Sequence, residues 1–474
     1  MKRSLRMTLV LLAVATLWIS PAQARPQSRS FRDDYNGWIY VHIAGDPLTR
    51  GNAYGYLVAA EIDDFISTLK TYLLKTTNKG WDFYRRASDK LFKGKLDLEY
   101  KLEIEGIASG LVEAGYNYDS IDIIALNAYI ELSEYYLPSI GGKFTDSMPR
   151  PLMRCSAFIA TGDWTKDGNV VMGHNTWDDY ITGQRKRIIL DIEPDSGFRM
   201  LMQTAPGFIH SGTDFALNSA GLLITETTIG NFKGFDTKGL PEFQRARAAN
   251  QYAGSLDQFV AIMSDGNNGG YANTWLIGDI NTKEIGKLTL GLKNVAFFRS
   301  KDGYYDGENY VDDSKMIREE VGPTFWTTDS NWPFNLTSTN TITARRLRWY
   351  ELLEKNKGRI DAELGKAFLA DQIEQSTGKF NPGGFVLMAR MEVSDVPEIP
   401  GAPAPRPFGA NDAKVVTAEL ARNMSFWARM GHPDGSTFTW DKFLKQNPSY
   451  AWQALFLQNL TNNEWSLFGS RDTK

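Results

Sequence analysis

The chain has 474 residues, of which 42% are hydrophobic and 23% charged, with a formal net charge of −4. This composition supports a substantial buried core and excludes a disordered or low-complexity chain. The mild acidic excess gives nucleic acid no electrostatic reason to bind, and a single cysteine, Cys155, excludes any intramolecular disulfide.

Residues 1–24 read as a secretory signal. Lys2, Arg3 and Arg6 form a basic start, Leu9–Ile19 an apolar run, and Pro21-Ala22-Gln23-Ala24 a small-x-small cleavage site. The apolar run is shorter than the roughly 20 residues of a membrane span, and no other stretch is long enough, so no stable span is expected. Export without disulfides points to a bacterial periplasmic protein.

Residues 25–154 are expected to be mainly helical after one strand. Gly37–Ala44 alternates as a strand and Gly45-Asp46-Pro47 turns the chain. Ile62, Phe65, Ile66, Leu69 and Leu73 then recur at helical spacing, as do Leu102, Ile104, Ile107 and Leu111 before Gly115. Ile121–Leu132 is a further apolar helical run.

The texture changes near residue 151. Strands are expected over Ser156–Thr161, Val170–His174, Lys186–Ile192, Phe198–Thr204 and Gly221–Thr228. Helices follow over Phe243–Tyr252 and Ser255–Ser264, with Ser255 as N-cap. Asn273–Gly278, Lys287–Leu292 and Phe385–Arg390 read as strands; Arg345–Leu353, Ala362–Asp371 and Ala451–Leu460 read as helices. The proline-rich Pro397–Pro407 reads as a surface loop, and Lys414–Arg429 returns to regular structure. Hairpin-connected strands between helices fit an α+β fold of antiparallel sheets covered by helices.

Cys155 heads the first of these strands. A lone thiol in an exported chain is a liability unless it has chemical work, although a free cysteine is also a common buried hydrophobe. If the Arg154–Cys155 bond breaks, the new α-amine has a pKa of about 7.7–8.0 and sits on the same residue as a thiol of about 8.5. It can then serve as general base for its own side chain. With a turn centred on Asp167-Gly168, cross-strand partners sum to about 335, which puts Cys155 against Trp177–Tyr180. Asp178 is then its neighbour, with His174 and Asn175 on the adjacent wall.

Several ordered stretches carry a resemblance. Cys155-Ser156-Ala157, His174-Asn175-Thr176-Trp177, Ser211-Gly212-Thr213-Asp214-Phe215, Thr225–Asn231, Gly270–Trp275 and Asp412-Ala413-Lys414-Val415 together resemble the phospholipase B-like family, within the cysteine N-terminal-nucleophile hydrolases. Gly45-Asp46-Pro47 with Arg50-Gly51 looks like related acyltransferase precursors. The resemblance implies an αββα fold, with residues 25–154 and 155–474 packed as one domain. It implies cleavage between Arg154 and Cys155, with both chains staying associated, and no cofactor or metal. The substrate it implies is a small-molecule acyl lipid or an N-acyl amide. Thr228 and Asn309 stand where oxyanion-forming residues are expected, and Arg345 where a late active-site arginine is expected. Trp177, Asn273 and Trp275 are candidates for contacting substrate. Where related enzymes carry an arginine, this chain has His174 and an extra residue, which leaves either Asp178 or His174 to orient the Cys155 amine.

Plainer roles compete. His174 can be a core histidine, Asn175 and Asn273 can tie backbone groups, Trp177 and Trp275 can be wall or core, and Arg345 can lie on a solvated helix face. No G-x-S-x-G elbow and no H-E-x-x-H motif occurs. The 13 tryptophans would suit a sugar-binding enzyme, but no pair of carboxylates is marked as an acid/base couple. A non-enzymatic lipid- or wall-binding protein is the alternative of another class.

Overall fold

The computed structural model describes residues 29–145, 155–322, 341–395 and 404–471. The expected signal, Arg154 and part of the proline-rich loop lie outside the described residues. Fifteen strands build two sheets: β1 (Phe31–Tyr35), β2 (Trp38–Gly45), β3 (Ser156–Thr161), β4 (Val171–Asp179), β5 (Ile188–Pro194), β6 (Met200–Thr204), β7 (Phe215–Asn218), β8 (Leu222–Thr228), β9 (Asn273–Asp279), β10 (Glu284–Leu290), β11 (Val295–Ser300), β12 (Gly303–Gly307), β13 (Phe408–Thr417), β14 (Ser425–Met430) and β15 (Ser466–Gly469). The larger sheet runs β1-β2-β5-β6-β7-β8-β9-β10-β11, and the smaller runs β12-β3-β4-β13-β14-β15.

Side-chain alternation sorts these strands into layers. On β3, Ala157 and Ile159 enter a core shared with Leu201, Leu217, Leu223 and Leu276 of the larger sheet. Phe158 and Ala160 point the other way, into a core with Trp349, Leu353, Phe368 and Leu369. Those four come from the helices Thr341–Lys355 and Ala362–Leu369. The far face of the larger sheet presents Val41, Leu190, Met202 and Ile224 to Ile62, Phe65, Leu69, Ile107 and Leu111. The result is the expected αββα stack of helices, two sheets and helices. Among the described residues, no helix is long and apolar enough to cross a membrane.

The N-terminal helices form where the periodicity places them, over Ala59–Thr77, Leu98–Glu113 and Ser120–Asn127. One more, Pro47–Leu57, starts at the expected turn, capped by Asp46 and with proline at its first position. It crosses Leu98–Glu113 backbone to backbone. A Cβ on Gly51 would stand 2.1 Å from the Glu103 carbonyl, and one on Gly110 would stand 2.1 Å from that of Asn52.

Four expectations are corrected. The larger sheet is not wholly antiparallel, because β2 pairs with β5 in parallel; the long helical excursion after β2 frees its direction from any hairpin. Phe385–Arg390 is not a strand: Met388 and Arg390 donate to the Asp371 and Pro382 carbonyls in a buried loop. Its apolar run marks burial rather than extension. Ala451–Leu460 is not a helix; only a 3-10 turn, Pro448–Gln453, forms there. The β3–β4 register also differs, for Ser156 faces Asn175 and Ala157 faces His174. The turn centre moves toward Thr165 because Gly162–Trp164 coils as a 3-10 turn and Thr165 bridges to Ile360. Continuing that register sets Cys155 opposite Thr176 rather than Trp177–Tyr180.

Candidate active site

Cys155 immediately precedes β3 with its backbone in the left-handed region, at φ 60°. Holding a non-glycine residue there costs about 1–3 kcal/mol and persists only where the surroundings impose it. Here Arg345 imposes it. Its Nη1 donates to the Cys155 carbonyl at 2.6 Å and lies 3.3 Å from Ser156 Oγ. Its Nη2 donates to the Glu308 carbonyl and to Asn309 Oδ1, each at 2.8 Å. The guanidinium also stacks over Trp177, 4.5 Å from the ring centroid. Arg345 is fully buried, so it is no solvated helix face. Only a planar fork makes all of these contacts at once.

Asn309, also left-handed at φ 73°, extends the network to the larger sheet. Its Nδ2 donates to the Thr228 carbonyl at 2.7 Å. Cys155, Arg345, Asn309 and Thr228 therefore form one chain of contacts joining a β3 terminus, an outer helix and β8. Trp177 is its wall.

Asn175 ties backbone groups. Its Oδ1 accepts from the Ser156 N–H at 3.0 Å, and its Nδ2 donates to the carbonyls of Leu369 and Leu387 at 3.0 and 3.1 Å. It fixes the start of β3 and with it the position of Cys155.

The two candidates for orienting the Cys155 amine are placed less favourably. His174 is fully buried between the sheets, and burial, reinforced by nearby Lys414, holds its pKa well below the usual imidazole range. It is a neutral ring. Asp178 is engaged by Lys186 Nζ at 2.7 Å, both groups being buried, and accepts from the Asp179 N–H at 2.9 Å.

Thr228 and Asn273 face each other across β8 and β9, as do Glu226 and Trp275. These pairs share the helix-covered face of the larger sheet, where Trp275 meets Phe259 of the helix Leu256–Ser264 with ring centroids 5.5 Å apart. Asn273 ties no backbone group: neither of its amide atoms has a hydrogen-bond partner among the described residues, and nor does the Thr228 hydroxyl. Trp275 is a core residue of that layer and lines a small cavity with His210, Asp214, Arg247 and Asn250. No described contact joins Trp275 to Cys155.

Several buried polar residues escaped the sequence reading, although all but Gln203 lie inside the quoted motifs. Lys414, fully buried on β13 opposite His174, donates to Thr176 Oγ1 at 2.9 Å and to Asp412 Oδ1 at 2.5 Å. Gln203 Nε2 reaches the other Asp412 oxygen at 2.7 Å from the larger sheet. The Tyr271 hydroxyl lies 2.7 Å from Asp214 Oδ2 and 3.0 Å from Glu226 Oε1. Burial, then Asp214, pushes the Cys155 thiol up to about 12, against the Trp177 main-chain N–H and the cations Lys414 and Lys186. A signal was available: D-x-K places Asp412 and Lys414 on one face of a strand, where two charges survive only as a buried pair. Among the described residues, no group of three or more His, Cys, Asp or Glu could hold a metal ion.

Comparison with known proteins gives the family. The family model described as Phospholipase B matches residues 65–335, more than half of the chain. Phospholipase B-like 1 of Homo sapiens is 26% identical over 307 residues, covering 58% of this chain and 52% of the relative. An uncharacterized protein of Archaeoglobus fulgidus is 27% identical over 269 residues, covering 54% of this chain and 43% of the relative. The chain thus spans about half the length of these relatives. A solved mutant of conjugated bile acid hydrolase from Clostridium perfringens aligns at 11% identity with a TM-score of 0.34, covering 67% of this chain and 98% of that one. The ordered motifs around Cys155 and the matched family model lead to one assignment: the chain belongs to the phospholipase B family.

Proposed function

We propose that this is an exported, self-processing N-terminal cysteine hydrolase that cleaves acyl esters or amides of lipid-like substrates. The observation that carries the reading is the grip of Arg345 on the strained Cys155 carbonyl, with the same guanidinium holding Asn309. Export rests on the basic and apolar pattern of residues 1–24, and the bacterial periplasm is the proposed destination.

Self-processing starts when the Cys155 thiol adds to the Arg154 carbonyl. The acyl group shifts from nitrogen to sulfur, and water hydrolyses the thioester. An Arg154 carboxylate and a free Cys155 α-amine result. In the uncut chain the thiol, held near 12 by burial and Asp214, lacks a base of its own; the released amine supplies one. That amine takes the thiol proton as sulfur attacks the acyl carbonyl. Asn309 and Thr228 stabilise the oxyanion, and the ammonium returns the proton to the departing alcohol or amine. Water then releases the acid. The two segments stay associated through the β2–β5 pairing.

Intact mass and N-terminal sequencing of the purified protein test the reading. The expected result is a fragment beginning at Cys155, absent from Cys155→Ala. A chain that stays uncut on ageing overturns the mechanism. With processed protein, a panel of phospholipids and N-acyl amides assigns ester or amide specificity, and added alcohol or amine acceptors reveal any acyltransferase. Activity on none of them, with binding retained in Cys155→Ala, would establish a non-enzymatic binding protein.

A further inference from the structure

The last described residues of the chain close over a buried charge at the β1–β2 end of the larger sheet. Asp191 on β5 is fully buried, and so are Tyr40 and His42 on β2. Asp191 Oδ2 accepts from the Tyr40 hydroxyl at 2.7 Å and lies 2.9 Å from His42 Nδ1. Arg199, the residue before β6, grips both oxygens, with Nε 2.9 Å from Oδ1 and Nη2 2.8 Å from Oδ2. Further donors come from beyond β15. Ser470 Oγ donates to Oδ1 at 3.0 Å, and the Arg471 N–H reaches Oδ2 at 3.1 Å.

The recognition runs through main-chain groups. The Arg471 N–H also lies 3.1 Å from the Tyr40 hydroxyl oxygen, and the Arg471 carbonyl accepts from Arg199 Nη2 at 2.9 Å. The Arg471 side chain adds less. Its guanidinium pairs with Asp33 at 2.6 Å and lies over the Tyr40 ring, 4.4 Å from the centroid. That ion pair is 41% and 51% exposed, and exposed pairs contribute little. A buried carboxylate deprived of a donor loses far more. β15 packs on the same end: Phe468, also buried, lies 6.2 Å from Trp38 and 6.4 Å from Tyr35 between ring centroids, and Ser466 Oγ accepts from Asn36 Nδ2 at 2.8 Å. β1 is an edge of the larger sheet and β15 an edge of the smaller, so these residues tie one sheet edge to the other. Asp33, Tyr40 and His42 precede Cys155, whereas Asp191, Arg199, Ser470 and Arg471 follow it. Each contact between the two sets spans the proposed cut.

We propose that Ser470 and Arg471 form an interaction surface for the N-terminal segment, a latch closed through main-chain groups on the Asp191 carboxylate, which holds β1 and β2 in the larger sheet and keeps that segment seated once the Arg154–Cys155 bond is cut. Retention after cleavage rests on the self-processing reading above; the latch in the uncut chain does not. The helices of the N-terminal segment have their own core against the larger sheet. The latch therefore sets how often the β1–β2 end opens locally, ahead of any global unfolding.

Hydrogen exchange read by mass spectrometry, on full-length protein and on a chain ending at Gly469, tests the latch. In the shortened chain the amides of residues 31–45 are expected to exchange about tenfold faster, the scale of losing one net hydrogen bond, with Leu222–Thr228 of the same sheet unchanged. Arg471→Ala keeps the N–H and the carbonyl and should stay within about twofold of wild type. Arg471→Pro removes the N–H and should approach the shortened chain. Unchanged exchange at residues 31–45 in the shortened chain overturns the proposal, as does a rise shared equally by Leu222–Thr228. Equal effects of Arg471→Ala and Arg471→Pro overturn the main-chain mechanism. If the shortened chain does not fold, the two Arg471 variants decide. In cut protein, the shortened form is expected to shed its N-terminal fragment on gel filtration at a lower urea concentration than full-length protein, and equal concentrations overturn the retention role. A wild type that stays uncut defeats the self-processing reading separately, while the exchange comparison still decides the latch.

Discussion

The two sides of Cys155 are built on opposite terms. On its carbonyl side, Arg345 and Asn175 meet donors and acceptors throughout, and both are buried. Toward the larger sheet and its far face, the Thr228 hydroxyl, both Asn273 amide atoms and Glu226 Oε2 are buried without partners among the described residues. Satisfied buried networks fix geometry, whereas unsatisfied buried polar atoms raise the energy of the resting state until something meets them. The first side holds Cys155 still. The second leaves polar capacity for chemistry.

The largest expected effect breaks the satisfied side. Arg345→Ala strands the Cys155 and Glu308 carbonyls and Asn309 Oδ1, and is expected to cost about 3–5 kcal/mol with loss of processing. Urea denaturation checks the stability, and the mass of the purified protein checks the processing. Arg345→Lys does not rescue it, because an ammonium cannot span the fork. Next comes Asn309→Ala. Measured on processed enzyme, kcat should fall by about 10²–10³ with KM little changed if its amide stabilises the oxyanion. An equal loss expressed wholly in KM would remove Asn309 from that role.

A smaller effect concerns Glu308, whose side chain lies beside this network. Burial, then Asp306, pushes its carboxyl up to about 8, and its oxygens find no hydrogen-bond partner among the described residues. The folded state binds the proton more tightly than the unfolded state, where a glutamate titrates near 4.3. Its contribution to stability is therefore full below about pH 4.3 and is lost as pH rises toward about 8. Glu308→Gln keeps a neutral side chain, so its stability relative to wild type should rise by about 1–3 kcal/mol between about pH 5 and pH 8.5. Parallel melts at the two pH values measure this. The smallest effect belongs to the unsatisfied side. Asn273→Ala loses no described hydrogen bond and should change stability by less than about 1 kcal/mol, so any loss of kcat/KM reports substrate contact.

The layered fold was legible because side-chain period and turn chemistry agree over most strands. Of the candidate site, the sequence motifs picked out Cys155 and Arg345, which the fold brings into contact. The site was not legible where function depends on which face a residue takes. Asp178 and His174 share a strand with Asn175 and Trp177, and the order of residues cannot say which of them meets a lysine. Lys414 and Glu226 stood inside recognised stretches, but a charge in a strand reads as solvent-facing until the second sheet covers it. The β3–β4 register missed because a 3-10 turn consumes residues that a tight hairpin does not.

The parallel pairing of β2 with β5 fixes how the molecule can be made. The edge strand β1 and its neighbour β2 both come from the segment ahead of Cys155 and fill one end of the larger sheet. A chain synthesised from Cys155 onward would leave β5 as a bare edge, rich in Ile188, Ile189, Leu190 and Ile192, without the N-terminal helices that share its core. Such an edge is a template for aggregation. The N-terminal segment is thus a built-in folding partner for the rest of the larger sheet. Co-expression of the two halves, rather than mixing of separately purified ones, is the route by which a cut form could be assembled without its peptide bond.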